Sequence, residues 1–182
     1  MRIILYLALM AAEWALVLLV ARRQRPTPLR ELIGGASSSP VRVAADFGIA
    51  AALWLAWRLL SQALTRLPFL SEPAHIAGML PKSPLEVVLW IPLSLSAGFC
   101  EELIFRGWLQ RLFTARTRNA WMGLLLQALV FGGLHLYEGV AACVRIACFG
   151  LLFGLVALWR RSLVPGMIAH AATDIVSGLF QM

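Results

Sequence analysis

Six apolar stretches, each about twenty residues long, leave this chain little choice of environment. They run over about 2–21, 41–60, 84–106, 119–137, 140–159 and 163–181. At ~1.5 Å per residue, a helix of that length crosses the roughly 30 Å hydrocarbon core of a bilayer. In hydrocarbon every backbone N–H and C=O must be satisfied within the protein, which selects helices over open sheets. The expected fold is therefore all-α, a polytopic transmembrane helical bundle of about six spans, with residues 1–182 as a single transmembrane domain. Composition agrees. The chain is 60% hydrophobic and 14% charged, with mean hydropathy +0.80, where a soluble domain is about 25% charged. An integral, multi-pass protein of the cell (plasma) membrane is expected. Met1–Ala21 does not read as a cleaved signal peptide, because its apolar run is too long and Arg22, Arg23 and Arg25 follow it.

The net charge of +7 does not point to nucleic acid. The basic residues sit between apolar runs, as topology signals do, with no basic stripe interleaved with aromatics. Loop one (22–40) carries Arg22, Arg23, Arg25 and Arg30 among turn residues Pro26, Pro28, Ser37, Ser38, Ser39 and Pro40. Loop three carries Arg106, Arg111, Arg116 and Arg118, and loop five Arg160 and Arg161. The odd loops are thus expected in the cytoplasm and both termini outside. Residues 61–83, with Pro68, Pro73 and Pro81, read as surface or interfacial chain. Trp54, Trp57, Trp90, Trp108, Trp121 and Trp159 are expected as interfacial anchors near span ends. Cys100, Cys143 and Cys148 have no metal-ribbon or redox spacing and read as buried apolar groups. Gly150 and Gly154 form a G-x-x-x-G, expected to serve helix packing; the oligomeric state stays open.

Ionisable groups inside spans are costly and persist mainly where they pair or do chemistry. Three strings concentrate them: E-E-L-I-F-R (101–106), F-G-G-L-H (131–135) and H-A-A-T-D (170–174). Glu102 and Arg106 are four apart and share a helical face, so they should pair. Glu101 is rotated from Glu102 by about 100° and is left for chemistry. His135 follows Gly132 and Gly133, which open room for a helix or a substrate backbone, and Phe131 can wall the site. His170 and Asp174 share a face, a spacing that suits two ligands on one metal or a carboxylate orienting an imidazole. His75 receives no role. Glu13, mid-span, is expected to pair with an Arg such as Arg145 or Arg58, and Asp46 to lie near the interface. H-E-x-x-H, G-x-S-x-G and phosphate-loop motifs are absent.

Taken together, E-E-x-x-x-R, F-x-x-x-H and H-x-x-x-D over residues 85–180 resemble the CAAX-protease and bacteriocin-processing (CPBP, or Abi) family of intramembrane endopeptidases. Asp174 stands where that family often has Asn. The resemblance implies a hydrolase that cleaves peptides or proteins carrying a membrane-associated segment. It implies Glu101 as the base that activates water, with His135, His170 and Asp174 completing the catalytic set and Glu102 and Arg106 bracing it. It also implies a divalent metal, zinc the expected ion, held by His135, His170 and Asp174 with Glu101 able to join them; a metal-free, glutamate-dependent reaction uses the same residues. A simple span picture puts Glu101 and His170 near the cytoplasmic side and His135 at the far end of span four, a mismatch of more than about 10 Å. The competing class is a non-enzymatic proton-coupled carrier or scaffold. Internal repeats with paired broken helices would mark a carrier, and none is seen.

Overall fold

The computed structural model describes residues 2–24, 28–34, 39–72 and 75–180. Arg25, Pro26, Ser37, Ser38 and Pro73, named above, lie outside the described residues. Among the described residues seven helices follow one another: α1 (Arg2–Arg23), a short α2 (Leu29–Ile33), α3 (Pro40–Leu64), α4 (Pro84–Thr117), α5 (Ala120–Leu134), α6 (Val140–Arg160) and α7 (Val164–Phe180). Single 3₁₀ turns occupy Pro68–Leu70 and Leu136–Glu138. Among the described residues there is no strand, only an isolated bridge between Gly34 and Ser162. The chain is a helical bundle. Helices α1, α3, α4 and α6 are long and apolar enough to cross a membrane, and α5 and α7 are shorter apolar helices.

Local sequence explains where the helices begin. Ser39 and Ser83 accept hydrogen bonds from the N–H groups of Arg42 and Glu86, with Pro40 and Pro84 at the first helical position. Asn119 caps α5 through the N–H groups of Trp121 and Met122. Helices α4 and α6 stop at Arg118 and Arg161, each in the left-handed region at φ 53°.

The main departure from the sequence reading is α4. The third span does not end at residue 106. The helix passes Pro92, runs through a π-helical segment over Glu102–Leu109 and continues to Thr117. Arg106 is therefore not in a loop; it is 2% exposed. Arg111 is helical too, and its guanidinium donates to the carbonyls of Glu31 and Leu32. This removes the depth mismatch. At ~1.5 Å per residue, Glu101 lies roughly 20–24 Å before the end of α4, and His135 about as far beyond the start of antiparallel α5. Glu101 is thus mid-bundle, not near the odd-loop side.

Packing pairs α4 with α1 and α7, α5 with α6, and α3 with α7. The core is built on Val17, Leu53, Trp57, Leu103, Phe131 and Phe153. The outer face is apolar, with Ile4, Leu18, Phe47, Leu59 and Leu129 all more than half exposed, as a lipid-facing surface requires. Gly34 of loop one meets Ser162 of loop five at one end of the bundle. His75 of loop two bonds Glu138 of loop four at another point of contact between connections. Of the expected interfacial tryptophans only Trp121 and Trp159 are well exposed. Trp57 is buried against Phe149, and Trp90 donates to the Asp174 carbonyl, because both lie on inward faces of their helices. Gly150 and Gly154 abut Ala128 and Leu124 of α5, so this pair serves packing inside the bundle. The first residues of the 61–83 segment complete α3, and the described residues after them, 65–72 and 75–83, form turns and coil with a 3₁₀ turn at Pro68–Leu70 and no spanning helix.

Candidate active site

The site begins with a buried ion pair. Nη1 of Arg106 lies 3.2 Å from Oε1 of Glu102, their side chains 0% and 1% exposed. The guanidinium also stands 4.3 Å from the Phe131 ring centroid and 5.7 Å from that of Phe149, so aromatic faces help to hold a charge that water does not reach. Residues Glu102–Gly107 are all buried. A π-helical turn inside a long helix is rare and is often found at functional sites.

Glu102 holds a second partner. Nδ1 of His170 is 3.0 Å from the same Oε1. A carboxylate accepts, so Nδ1 carries the proton and donates. Two glycines make this contact sterically possible. A Cβ at Gly98 would come within 2.8 Å of the Ala171 nitrogen and the Met167 oxygen, and one at Gly166 within 3.0 Å of Oε2 of Glu102. The first lets α4 and α7 touch; the second leaves room for the carboxylate.

With Nδ1 occupied, Nε2 of His170 points to Glu101 and Asp174. It lies 3.7 Å from Oε2 of Glu101 and 3.7 Å from Oδ2 of Asp174. Glu101, His135, His170 and Asp174 all line one cavity of about 360 Å³. His135 terminates α5, and its Nδ1 is 2.8 Å from the Phe131 carbonyl. That oxygen can only accept, so Nδ1 donates and Nε2 is left for the cavity. Phe131 walls the site, its ring edge-on to His135 and His170. Gly132 admits α6, a Cβ there meeting the Cys143 oxygen at 2.6 Å, whereas Gly133 faces open space.

The sequence reading missed several residues of this cavity. Glu13 reaches it from α1 and accepts a hydrogen bond from Ser96 at 2.6 Å. The expected partner Arg145 is committed elsewhere, to the carbonyls of Leu70 and Glu72; Arg58 lines the same cavity. Asp46 pairs with Arg160 at 2.9 Å, tying α3 to the end of α6. Tyr137 and Glu138 enter from the turn after α5, Tyr137 stacking on His135. Burial pushes the Glu138 carboxyl above the ordinary glutamate range, with His135 opposing. Period and spacing carry no signal for these contacts, which join distant segments.

Among the described residues, no group of three or more His, Cys, Asp or Glu side chains stands in a geometry able to hold a metal ion. Nε2 of His170 lies 3.7 Å from one oxygen each of Glu101 and Asp174, and Nε2 of His135 faces the cavity without joining them in a group placed to hold an ion. As they stand, the described donors do not converge on a single ion.

Comparison with curated proteins and with solved structures finds no match. Comparison with protein families does: the family described as type II CAAX prenyl endopeptidase Rce1-like matches residues 83–176. That stretch is just over half of the chain and contains Glu101, Glu102, Arg106, His135, His170 and Asp174. The chain belongs to the Rce1-like family of type II CAAX prenyl endopeptidases and is a peptidase, integral to a membrane, whose substrate is a peptide or protein.

Proposed function

We propose that this cavity hydrolyses a peptide bond of a substrate that carries a membrane-associated segment, using Glu101 as general base. The supporting observation is the division of labour around His170. Glu102 holds Nδ1 at 3.0 Å, while Glu101 and Asp174 flank Nε2 at 3.7 Å. One glutamate is committed to the brace and the other is left facing the cavity.

The Glu101 carboxylate takes a proton from a water molecule. The hydroxide oxygen bonds to the scissile carbonyl carbon, and the carbonyl electron pair moves to its oxygen. His135 orients the water through Nε2, and the imidazole of His170 stands by the developing oxyanion. When the C–N bond breaks, the electron pair goes to nitrogen, which receives the proton from Glu101. The products are a carboxylic acid and an amine. Oδ2 of Asp174 stands 3.7 Å from His170 Nε2 and keeps that edge of the ring turned to the cavity. Glu102 and Arg106 do not touch substrate; they fix the imidazole ring.

Purified protein in proteoliposomes, offered membrane-anchored peptides and read by mass spectrometry, tests the reading. Cleavage at one bond supports it; intact peptides across a diverse set refute it. The divalent metal expected from the sequence is tested separately. Protein shown metal-free by elemental analysis should keep its activity; loss on chelation with recovery in zinc would return an ion to His135, His170 and Asp174. The plasma membrane remains the proposed location.

A further inference from the structure

One wall of the cavity comes from a segment that takes no part in the chemistry. Ile76, Met79 and Leu80, from the chain between α3 and α4, line the same cavity as Glu101 and His170. These three side chains are half-buried, while His75, Ala77 and Gly78 between and beside them are exposed. The segment therefore turns one apolar face inward. It lies before residue 83, outside the stretch matched by the family.

The segment is built, not draped. Its own turn is closed by N–H groups of Met79 and Leu80 on the Ile76 carbonyl, at 2.7 and 3.2 Å. From α1, the buried Tyr6 hydroxyl donates to the Met79 carbonyl, and Nε of Arg2 donates to the Gly78 carbonyl at 2.7 Å. The His75 N–H donates to the Glu138 carbonyl at 2.9 Å, three residues past His135. The Lys82 N–H donates to the Glu86 carboxylate at 2.8 Å. Upstream, Arg145 holds the carbonyls of Leu70 and Glu72. All of the anchors are to backbone groups or the helix start, so the inward side chains are left free to meet a ligand. A surface fixed on every side binds without the entropy cost of ordering itself.

We propose that Ile76, Met79 and Leu80 form the specificity pocket of the enzyme, reading one apolar side chain of the substrate beside the scissile bond. This rests on the endopeptidase reading above. Apolar pockets discriminate by volume: one methylene gained or lost shifts preference about tenfold or more. Truncating Met79 enlarges the pocket, so the preferred substrate side chain becomes larger. Changes to the anchors act differently. Tyr6→Phe loosens the wall and weakens discrimination without moving the optimum.

The test is a set of membrane-anchored peptides differing at one position, from Ala through Val and Leu to Phe and Trp, scored as kcat/KM ratios in detergent. Met79→Ala should move the Phe-to-Val ratio by about tenfold towards Phe, and Tyr6→Phe should flatten the profile. Ratios within one variant cancel losses of folded protein. If Met79→Ala does not fold, Ile76→Val, which removes one methylene, should shift the profile in the same sense. Wild-type protein that cleaves no peptide overturns the endopeptidase reading and the pocket with it. Wild-type cleavage with an unchanged profile in Met79→Ala, or in Ile76→Val where that variant stands in for it, overturns the pocket alone.

Discussion

Replacing Glu102 by Gln keeps the shape of the side chain and removes the charge that Arg106 and His170 share. Arg106 is left 2% exposed with no anion at 3.2 Å. Removing one partner of a buried pair costs about 3–5 kcal/mol. The lower end applies, because the stacking of Arg106 on Phe131, worth about 0.5–2 kcal/mol, survives and the amide oxygen still accepts. For a chain of this size ~1 kcal/mol moves the melting temperature by about 2–4 °C, so Glu102→Gln should lower it by roughly 6–12 °C. Glu101→Gln is the control. Its side chain is 21% exposed and its partner is no nearer than 3.7 Å, the weak, partly solvated regime worth about 0–1 kcal/mol. It should shift melting by about 4 °C or less. Both variants should lose activity. The assay is the fraction of monodisperse protein after heating in detergent. Equal destabilisation by the two substitutions would refute the division of roles.

His170→Ala should abolish cleavage, whereas Asp174→Asn should retain a measurable fraction, since the amide oxygen can still face Nε2; initial rates on one membrane-anchored peptide separate them. Gly98→Val should destabilise by about 1–3 kcal/mol, because its Cβ would sit 2.8 Å from the α7 backbone; a melting temperature equal to wild type would remove the close helix contact from the account. Burial raises the Glu138 carboxyl above its usual 4.5, so the fold binds that proton more tightly than the unfolded chain. Its contribution is full below pH ~4.5 and is lost as pH rises through the raised value. Glu138→Gln should flatten the stability profile over that window, and an unchanged profile would count against burial as the cause.

What could be read from sequence was local. The Glu102–Arg106 pair follows from a spacing of four, and the strings at 101–106, 131–135 and 170–174 all reach one cavity. What could not be read was decided by distant partners. Arg106 and Arg111 look like the end of a span until Phe131, Glu102 and the carbonyls of α2 are seen to absorb them. That error set the length of α4, and with it the apparent depth mismatch of His135. The π-helical segment has no proline or glycine pattern to announce it. Trp57 and Trp90 match the composition of an interface but face inward. Glu13 takes a hydroxyl on α4, while Arg145 is committed to the carbonyls of Leu70 and Glu72. The wall at Ile76, Met79 and Leu80 depends on hydrogen bonds to Arg2 and Tyr6, more than seventy residues away.

In the proposed reaction Glu101 is the group that activates water. Single-turnover cleavage of one membrane-anchored peptide by Glu101→Gln, in proteoliposomes and relative to wild type, measures this. Loss of a positioned base is worth about 10²–10⁴ in rate, so the variant should cleave at least a hundredfold more slowly while melting within about 4 °C of wild type. A folded Glu101→Gln protein that cleaves within tenfold of the wild-type rate would contradict it.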